Sequence, residues 1–314
     1  MRACLASLLI LAAVLAAPVA HAHVGDVIYP FFELLDEDLD RIDLTDGSVE
    51  DWLEVVGEPS LTAIDFFWGY WGEMAYDPSD VDFRIWLAWH QGSSTIWIAM
   101  ERFDDLYLNL YDGEGPYRPY EMQLWDSSIR FMVDGDHTGG TYSYFLGRNC
   151  HDCTPDQILE NYRQAQQWVA IAETPDGEHL EHYGPSEWVV REPYADAGGG
   201  VIGQTPATTV TEFRVTPFDD LIYNDEASSE ASQLYPGKTI GFSIATRDYD
   251  DTEWKDGHGS VATPMSLTGT TQSLIHADFF VDGLLIGAGE DPSLYEDRSA
   301  VEPSSWARIK AALE

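Results

Sequence analysis

The chain has 314 residues, and its charge is strongly unbalanced: 55 acidic residues stand against 16 basic ones, a formal net charge of −39. A surface of that sign repels nucleic acids, anionic lipids and other polyanions, and it attracts divalent cations. We therefore expect no nucleic-acid partner. Adaptation to salt and a need for solubility would produce the same composition, so the charge is compatible with either origin.

The first 22 residues have the order of a secretory signal peptide. Arg2 gives a positive start, residues 4–17 form an apolar run, and small residues lead to Ala22. The run is too short to cross a membrane as a helix, and no later stretch is long and apolar enough to do so. We expect cleavage after Ala20 or Ala22. The mature protein is then secreted, periplasmic or on the cell surface, without membrane insertion.

The remaining chain is long enough for one large β domain with a sizeable core. We predict an N-terminal extension at 23–45, one domain at 46–295, and a C-terminal tail with a short helix at 296–314. No internal repeat and no long linker divides the central part, so the sequence indicates a single domain with long loops.

Five segments predict β-strands, because they are rich in aromatic and β-branched residues and several alternate apolar with polar side chains. They are residues 82–89, 95–103, 129–133, 209–215 and 240–246. Clusters of Gly, Pro, Asp and Asn separate them, as turns require. The pattern predicts an all-β fold: a two-sheet antiparallel β-sandwich of jelly-roll type, with one peripheral helix and long loops.

The peripheral helix is predicted to begin after Thr154, which can cap it, with Pro155 in its first turn. Apolar residues at helical spacing then form one stripe that would pack over the sheet. The stripe consists of Ile158, Tyr162, Ala165 and Val169. Residues 194–208 contain three consecutive glycines and are predicted to be an irregular loop.

Two cysteines remain after removal of the signal peptide, Cys150 and Cys153. A structural zinc site would need four ligands, and the sequence has no second pair of cysteines. A thioredoxin-like role would need a βαβ setting, which the pattern does not provide. In an oxidising compartment we predict a local disulfide between the two. A metal half-site that includes His151 and Asp152 stays open as the alternative.

Several segments, taken in order, resemble the family-nine carbohydrate-binding modules. They are Asp46-Gly47 with Asp51-Trp52, residues 96–99 with Asp104-Asp105, residues 125–134, residues 211–218, residues 236–250 and residues 277–280. The resemblance extends over residues 46–290 and implies a two-sheet β-sandwich, a carbohydrate ligand and calcium in the acidic loops. The same sandwich also hosts haem-binding and purely structural domains, so the fold alone does not define a function.

This chain departs from the family at the sugar site. Members that bind sugars hold the ligand between two tryptophans, beside a glutamate on the strand that follows the first one. Trp125 lies one residue away from the position of the first tryptophan, and Arg130 stands where the glutamate would be. No tryptophan lies at residues 270–276, where the second is expected. The family's two-tryptophan clamp is therefore not reproduced here.

The sequence contains 11 tryptophans, and indole rings can stack on the C–H faces of sugars. Tryptophans on apolar strands, such as Trp97, are expected in the core. Aromatic residues in loop-like segments are the candidates for ligand binding, together with the arginine at the family's glutamate position. These candidates are Trp68, Tyr70, Trp71, Trp125, Arg130 and Trp254.

Two acidic loops are candidates for calcium, which prefers six to eight oxygen ligands. The first has oxygen-bearing side chains at alternate positions before a glycine turn, and the resemblance implies calcium in the second. The candidate ligands are Asp134, Asp136 and Thr138 in the first loop and Asp248, Asp250 and Asp251 in the second. Solvated turns of an acidic protein are the alternative interpretation.

The leading hypothesis is a secreted, non-catalytic carbohydrate-binding protein with structural calcium, whose partner is a polysaccharide or another glycan. One alternative is a cell-surface structural or interaction domain without a small ligand. Another is a haem-binding relative with Met100, Met122 or Met132 as axial ligand. A hydrolase would need a pair of carboxylates that the sequence does not single out, and no nucleophile or nucleotide motif is present.

Overall fold

The structure is a computed structural model that describes residues 27–69, 72–114, 118–143, 155–184, 186–250 and 262–290. The strands in these ranges are β1 (Ile28–Leu34), β2 (Leu61–Thr62), β3 (Phe67–Trp68), β4 (Val81–His90), β5 (Thr95–Asp104), β6 (Ile129–Asp134), β7 (Gln166–Ala170), β8 (Leu180–His182), β9 (Ala195–Gly203), β10 (Ala207–Val215), β11 (Phe218–Asp220), β12 (Glu230–Ala231), β13 (Thr239–Tyr249), β14 (Ala262–Ser266) and β15 (Val281–Ile286).

The helices of the described part are short. The α-helices are α1 (Asp36–Leu39), α2 (Glu50–Val55), α3 (Arg118–Met122) and α4 (Pro155–Glu160). Single 3-10 turns occur at Ala63–Asp65, Glu187–Val190, Glu226–Ser228, Thr271–Leu274 and Ala277–Phe279. Within the described ranges, no helix has the length and apolar character needed to cross a membrane.

Hydrogen bonds link most strands into one path. Its order is β8-β7-β6-β13-β15-β1-β4-β5-β10-β9, with β14 added beside β13, β3 beside β14 and β2 beside β4. The five strands predicted from the sequence are present as β4, β5, β6, β10 and β13. Alternation of apolar side chains in these strands places every second residue in the core, which is why sequence pattern identified them.

The path folds over so that two halves face each other. One half contains β6, β7 and β13, the other contains β4, β5 and β10, and their inward side chains form a single buried cluster. Across this cluster, the rings of Phe131 on β6 and Phe213 on β10 have centroids 6.2 Å apart. Because strands that are distant in the hydrogen-bonded order share one core, the architecture is a two-sheet β-sandwich, as predicted.

Loop segments cover parts of both outer faces. Residues 34–56 lie over β4, β5 and β10, where Trp52 and Trp86 belong to one buried cluster. On the other half, Met132 of β6 and Val169 of β7 belong to a third buried cluster that loop residues complete. Several strands are therefore buried on both sides, and they do not show simple alternation along their whole length.

Strand β1 comes from the segment 23–45, which the sequence had placed before the domain as an extension. It pairs in parallel with β15 on one side and with β4 on the other, so it joins the two halves of the sheet. All other ladders between described strands are antiparallel.

The helix predicted through Val169 was wrong in extent. Helix α4 ends at Glu160, and Gln166–Ala170 forms β7 between β6 and β8. Tyr162 has a φ of +58°, in the left-handed region, which is incompatible with a continuing helix. Every residue of β7 is buried, because both of its faces are covered. Apolar residues in such a strand do not alternate with polar ones, so some of them fall at the spacing expected of the apolar stripe of a helix.

The loop predicted at 194–208 was also wrong, because β9 occupies most of it and pairs with β10. The three glycines permit another segment to lie directly on this strand. A Cβ atom at Gly198 would lie 2.2 Å from the carbonyl oxygen of Leu44, a distance that no side chain tolerates. Close approach of backbone, and not irregular conformation, therefore explains the glycine run.

Candidate functional site

A small pocket with a cavity volume of about 50 Å³ lies on the outer side of β6, β13 and β14 and is partly open to solvent. The described residues that line it include guanidinium, amide and hydroxyl groups beside apolar side chains such as Met265 and Leu274, and they include no Asp or Glu. Two of the arginines of this acidic chain, Arg130 and Arg247, are among them. A wall without carboxylates is unexpected by chance in a protein of net charge −39.

Arg130 is positioned by the alternation of β6, in which Phe131 points into the core and Arg130 to the outer side. It is only 8% exposed, and its guanidinium lies 5.0 Å from the centroid of the Tyr183 ring. With the amide of Gln167 oriented so that its oxygen faces the arginine, Gln167 accepts a hydrogen bond from Nε at 3.1 Å and another from Nη2. Within the described part of the chain, no carboxylate forms an ion pair with Arg130.

Gln123, just after α3, is a second buried polar residue of the pocket wall. It is 4% exposed, and its Oε1 has no hydrogen-bond partner among the described residues. A buried acceptor without a donor costs about 1–3 kcal/mol. A ligand hydroxyl that donates to Oε1 would remove this cost, so Gln123 marks a place for a polar ligand.

Trp125 is not among the described residues that line the pocket. The ring is half-buried and packs against the same buried cluster as Ala245 and Leu274, two residues that do line the pocket. Its centroid lies 6.2 Å from that of the Tyr249 ring. A partly exposed indole ring can stack on the face of a sugar ring.

Trp68 has a different environment from the one expected of a ligand contact. It is 4% exposed, belongs to the central core, and donates from Nε1 to the carbonyl oxygen of Ala63 at 3.1 Å. The prediction that Trp68 binds a ligand was therefore wrong: it is a core residue. Tyr70, Trp71 and Trp254 lie outside the described residues.

A more open cleft on another part of the surface has a volume of about 630 Å³. Trp188 and Tyr194 line it and pack together with ring centroids 4.8 Å apart. Three glutamates also line it, namely Glu187, Glu192 and Glu226. The cleft thus combines aromatic rings with carboxylates, whereas the described wall of the first pocket has no carboxylate.

Arg102 of β5 lies at the centre of a completely buried charge cluster. Its Nη2 lies 2.5 Å from Oδ2 of Asp104, 2.7 Å from Oδ1 of Asp248 and 3.4 Å from Oδ1 of Asp126. Burial raises the pKa of Asp126 to about 8 and that of Asp248 to about 7, although the guanidinium acts in the opposite direction. One arginine does not balance three buried carboxylates.

The acidic cluster extends from Asp248 towards the surface. One carboxylate oxygen each of Asp80, Asp248 and Asp250 lies within 4.8 Å of the others. Asp248 is buried, and its Oδ2 has no hydrogen-bond partner among the described residues. Burial, and then neighbouring carboxylates, raise the pKa of both Asp80 and Asp250. This donor set fits a hard divalent cation. Asp251 lies outside the described residues.

In the other predicted calcium loop, residues 134–140, the carboxylates of Asp134 and Asp136 accept hydrogen bonds from other residues of the loop. Oδ2 of Asp134 accepts the N–H of Gly139 at 2.7 Å, and Oδ1 of Asp136 accepts the hydroxyl of Thr138 at 2.8 Å. Burial and a hydrogen bond to Asp134 raise the pKa of Asp136. None of the three-residue acidic groups found in the described ranges includes this loop.

The remaining candidates concern redox and haem chemistry. Cys150 and Cys153 lie outside the described residues, so the disulfide stays a prediction. Met100, Met122 and Met132 are completely buried and pack within the hydrophobic clusters. Each therefore has an ordinary packing role in the structure.

Sequence reasoning missed Gln123 and Asp80. Gln123 is a polar residue just after a short helix, and nothing in its sequence neighbourhood marks it. Asp80 precedes β4, whereas its partners Asp248 and Asp250 lie at the end of β13. Only the fold brings such distant positions together, and with 55 acidic residues no set stands out beforehand.

No protein-family model and no curated protein matches the chain. Two solved structures similar to it are family 9 carbohydrate-binding modules from Caldicellulosiruptor kristjanssonii. The one in complex with glucose is 12% identical, with a TM-score of 0.48, over 83% of this chain and 98% of that module. The one in complex with cellotriose is 10% identical, with a TM-score of 0.44, over 88% and 99%.

Proposed function

We propose that the protein is a secreted, non-catalytic carbohydrate-binding protein whose saccharide site is the pocket beside Arg130 and Gln123. The observation that carries the proposal is the wall of this pocket, which places polar groups other than carboxylates beside apolar side chains. It combines fixed guanidinium donors, hydroxyls and an unpartnered amide oxygen with no carboxylate, in a chain of net charge −39. Hydroxyl groups of a sugar both donate and accept, so such a mixed wall complements them.

Trp125 supplies the apolar part of this proposal. Its half-buried ring packs against the same cluster as the pocket residues Ala245 and Leu274, and it would stack on one face of a sugar while the arginines and Gln123 bind the hydroxyls. The predicted signal peptide at 1–22 would deliver the protein to the compartment where polysaccharides occur. Because two arginines line the pocket, a saccharide with a carboxylate or sulfate group is a suitable ligand as well as a neutral one.

A structural calcium ion held by Asp80, Asp248 and Asp250 is part of the proposal. The unpartnered Oδ2 of Asp248 and the excess of buried carboxylate over Arg102 support it. A bound cation would balance this charge, and it would tie the turn before β4 to the end of β13. Its role is then to stabilise the loops of the domain and not to contact the sugar.

The test is binding of the mature protein (residues 23–314) to neutral and acidic oligosaccharides, measured by calorimetry with calcium and with chelator. We expect Gln123→Ala and Arg130→Lys to weaken binding. Arg84→Lys is a matched control, because Arg84 also lies over an aromatic ring, that of Trp86 at 5.4 Å, but does not line the pocket. Trp188→Ala tests the acidic cleft.

The outcomes separate the alternatives. Binding that is lost in the Gln123 and Arg130 variants and retained in the Arg84 and Trp188 variants would support the proposed pocket. Loss only in Trp188→Ala would move the site to the acidic cleft. Absence of binding to every saccharide, with the fold intact by circular dichroism, would contradict the proposal and favour a structural or interaction domain.

A further inference from the structure

Glu212 is a buried carboxylate on the outer face of β10, a strand that is not adjacent to the pocket strands β6, β13 and β14 in the hydrogen-bonded order. It is completely buried beneath residues 34–56, and its Oε1 accepts a hydrogen bond from Nε1 of Trp52 at 2.7 Å. Its Oε2 has no hydrogen-bond partner among the described residues. An unpartnered buried carboxylate oxygen is costly unless a proton or a cation compensates it.

Two further carboxylates converge on Glu212. One oxygen each of Asp46, Asp51 and Glu212 lies within 4.8 Å of the others. Backbone N–H groups fix both aspartates: Ser48 donates to Oδ1 of Asp46 at 2.8 Å, and Trp52 donates to Oδ1 of Asp51 at 2.7 Å. Each carboxylate oxygen has a second lone pair, so these bonds orient the groups without exhausting them.

The charges around this group are all of one sign. Burial raises the pKa of Glu212 to about 8, and the charged groups that raise it further are Asp51, Asp46 and Asp43. Burial and the charge of Asp46 also raise the pKa of Asp51. No lysine or arginine of the described chain is among the charges that act on either group.

Glycines create the space in which these three side chains meet. A Cβ at Gly200 of β9 would lie 2.9 Å from Cα of Gly47, which itself has a φ of +66°. The loop that carries Asp46 therefore rests on the backbone of β9, which is paired with β10 at Gly198 and Glu212. Side chains at these glycines would lift the loop and separate Asp46 from Glu212.

We infer that Asp46, Asp51 and Glu212 form a second divalent-cation site, which fastens the N-terminal segment to strand β10. Three carboxylates and no nitrogen or sulfur donor select a hard cation of the calcium type. Water or main-chain oxygens would complete its coordination shell. The site is independent of the saccharide pocket and of the Asp80–Asp248–Asp250 cluster, since it shares no residue with either.

Terbium luminescence tests this inference, because Tb³⁺ replaces calcium in oxygen sites and a nearby indole sensitises its emission. Trp52, hydrogen-bonded to Glu212, is such an indole. In the mature chain we expect Glu212→Gln and Asp46→Asn each to weaken the terbium affinity of this site by about tenfold or more. Asp250→Asn is the matched control, since it removes one carboxylate from the other cluster.

A thermal melt with calcium and with chelator distinguishes a cation site from a purely structural hydrogen bond. Glu212→Gln keeps an acceptor for Trp52, so we expect it to melt with chelator at or above the temperature of the wild type and to gain less on addition of calcium. Terbium binding that is unchanged in both Glu212→Gln and Asp46→Asn would overturn the inference. So would equal destabilisation of Glu212→Gln in calcium and in chelator. Asp46 is exposed, so its variant remains informative if the Glu212 variant does not fold.

Discussion

The free energy of unfolding of the wild-type protein is expected to fall as the pH decreases below about 6.5, in part because of His182, and the His182→Gln variant is expected to lack this part of the decrease. His182 lies in β8, with its ring centroid 5.2 Å from that of Trp168 and 5.8 Å from that of Tyr162. Its Nδ1 accepts the N–H of Gly184 at 3.1 Å, and its Nε2 has no partner among the described residues. Burial lowers the pKa of this imidazole from 6.5 to about 3.

The size of the effect follows from the difference between the two pKa values. The unfolded chain takes up the proton near pH 6.5, whereas the folded protein takes it up only near pH 3. Between these values the free energy of unfolding falls as the pH falls, by at most about 1.4 kcal/mol per pH unit. The loss reaches about 2 kcal/mol at pH 5. Above pH 6.5 the ring is neutral in both states and adds no pH dependence.

Urea unfolding of wild type and variant, at constant calcium and at several pH values between about 7.5 and 5, measures the effect. Titration of the carboxylates is common to both proteins, so the difference between their free energies of unfolding isolates the histidine. We expect this difference to shift in favour of the variant as the pH decreases. A difference that stays constant over the whole range would refute the environment described for His182.

Three further predictions concern stability and binding. Arg102→Met should lower the free energy of unfolding by about 3–5 kcal/mol, because it leaves buried carboxylates without the guanidinium that pairs with them. The control variant Arg84→Met removes a half-exposed ion pair and should lower it by about 1 kcal/mol or less; urea unfolding measures both. Gly198→Ala should destabilise the protein by about 1–3 kcal/mol, since its methyl group overlaps a carbonyl oxygen of the covering segment, and a melting temperature equal to that of wild type would contradict this. Trp68→Ala should lower the free energy of unfolding by about 3–5 kcal/mol, because it removes a core side chain. Trp125→Ala should weaken saccharide binding and leave the fold intact by circular dichroism. Equal losses of stability in the two variants would contradict their different placement.

The strands that sequence pattern identified contain runs of aromatic and β-branched residues. Residues 82–89 and 95–103, for example, lie within β4 and β5. Strand β7 was missed because it has only five residues, two of them glutamines, and its Val169 falls at the spacing of a helical stripe. Strand β9 was missed because its glycines serve contacts with a segment about 150 residues earlier in the chain, which local patterns do not report.

The candidate site was predictable only in part. Trp125 and Arg130 were singled out by their place in a family pattern; Arg130 lines the pocket, whereas Trp125 only packs against the same cluster as two residues of its wall. Gln123 owes its importance to burial, which the sequence does not express. The acidic groups around Asp248 and Glu212 combine residues from separate strands and loops, so their composition depends on topology.

The parallel strand β1 has a consequence for the order in which the protein can assemble. Phe32 pairs with Ile286 on one side and with Ala88 on the other, so the two halves of the sheet become continuous only when β15 has arrived. Such distant pairings are slow to form, because much chain entropy is lost before the contacts are gained. Until then β1 and β13, the two strands that flank β15, each present an unpaired edge, the kind of surface that pairs with other copies. The strong negative charge of the chain creates repulsion between copies, which opposes such association while the sheet is incomplete.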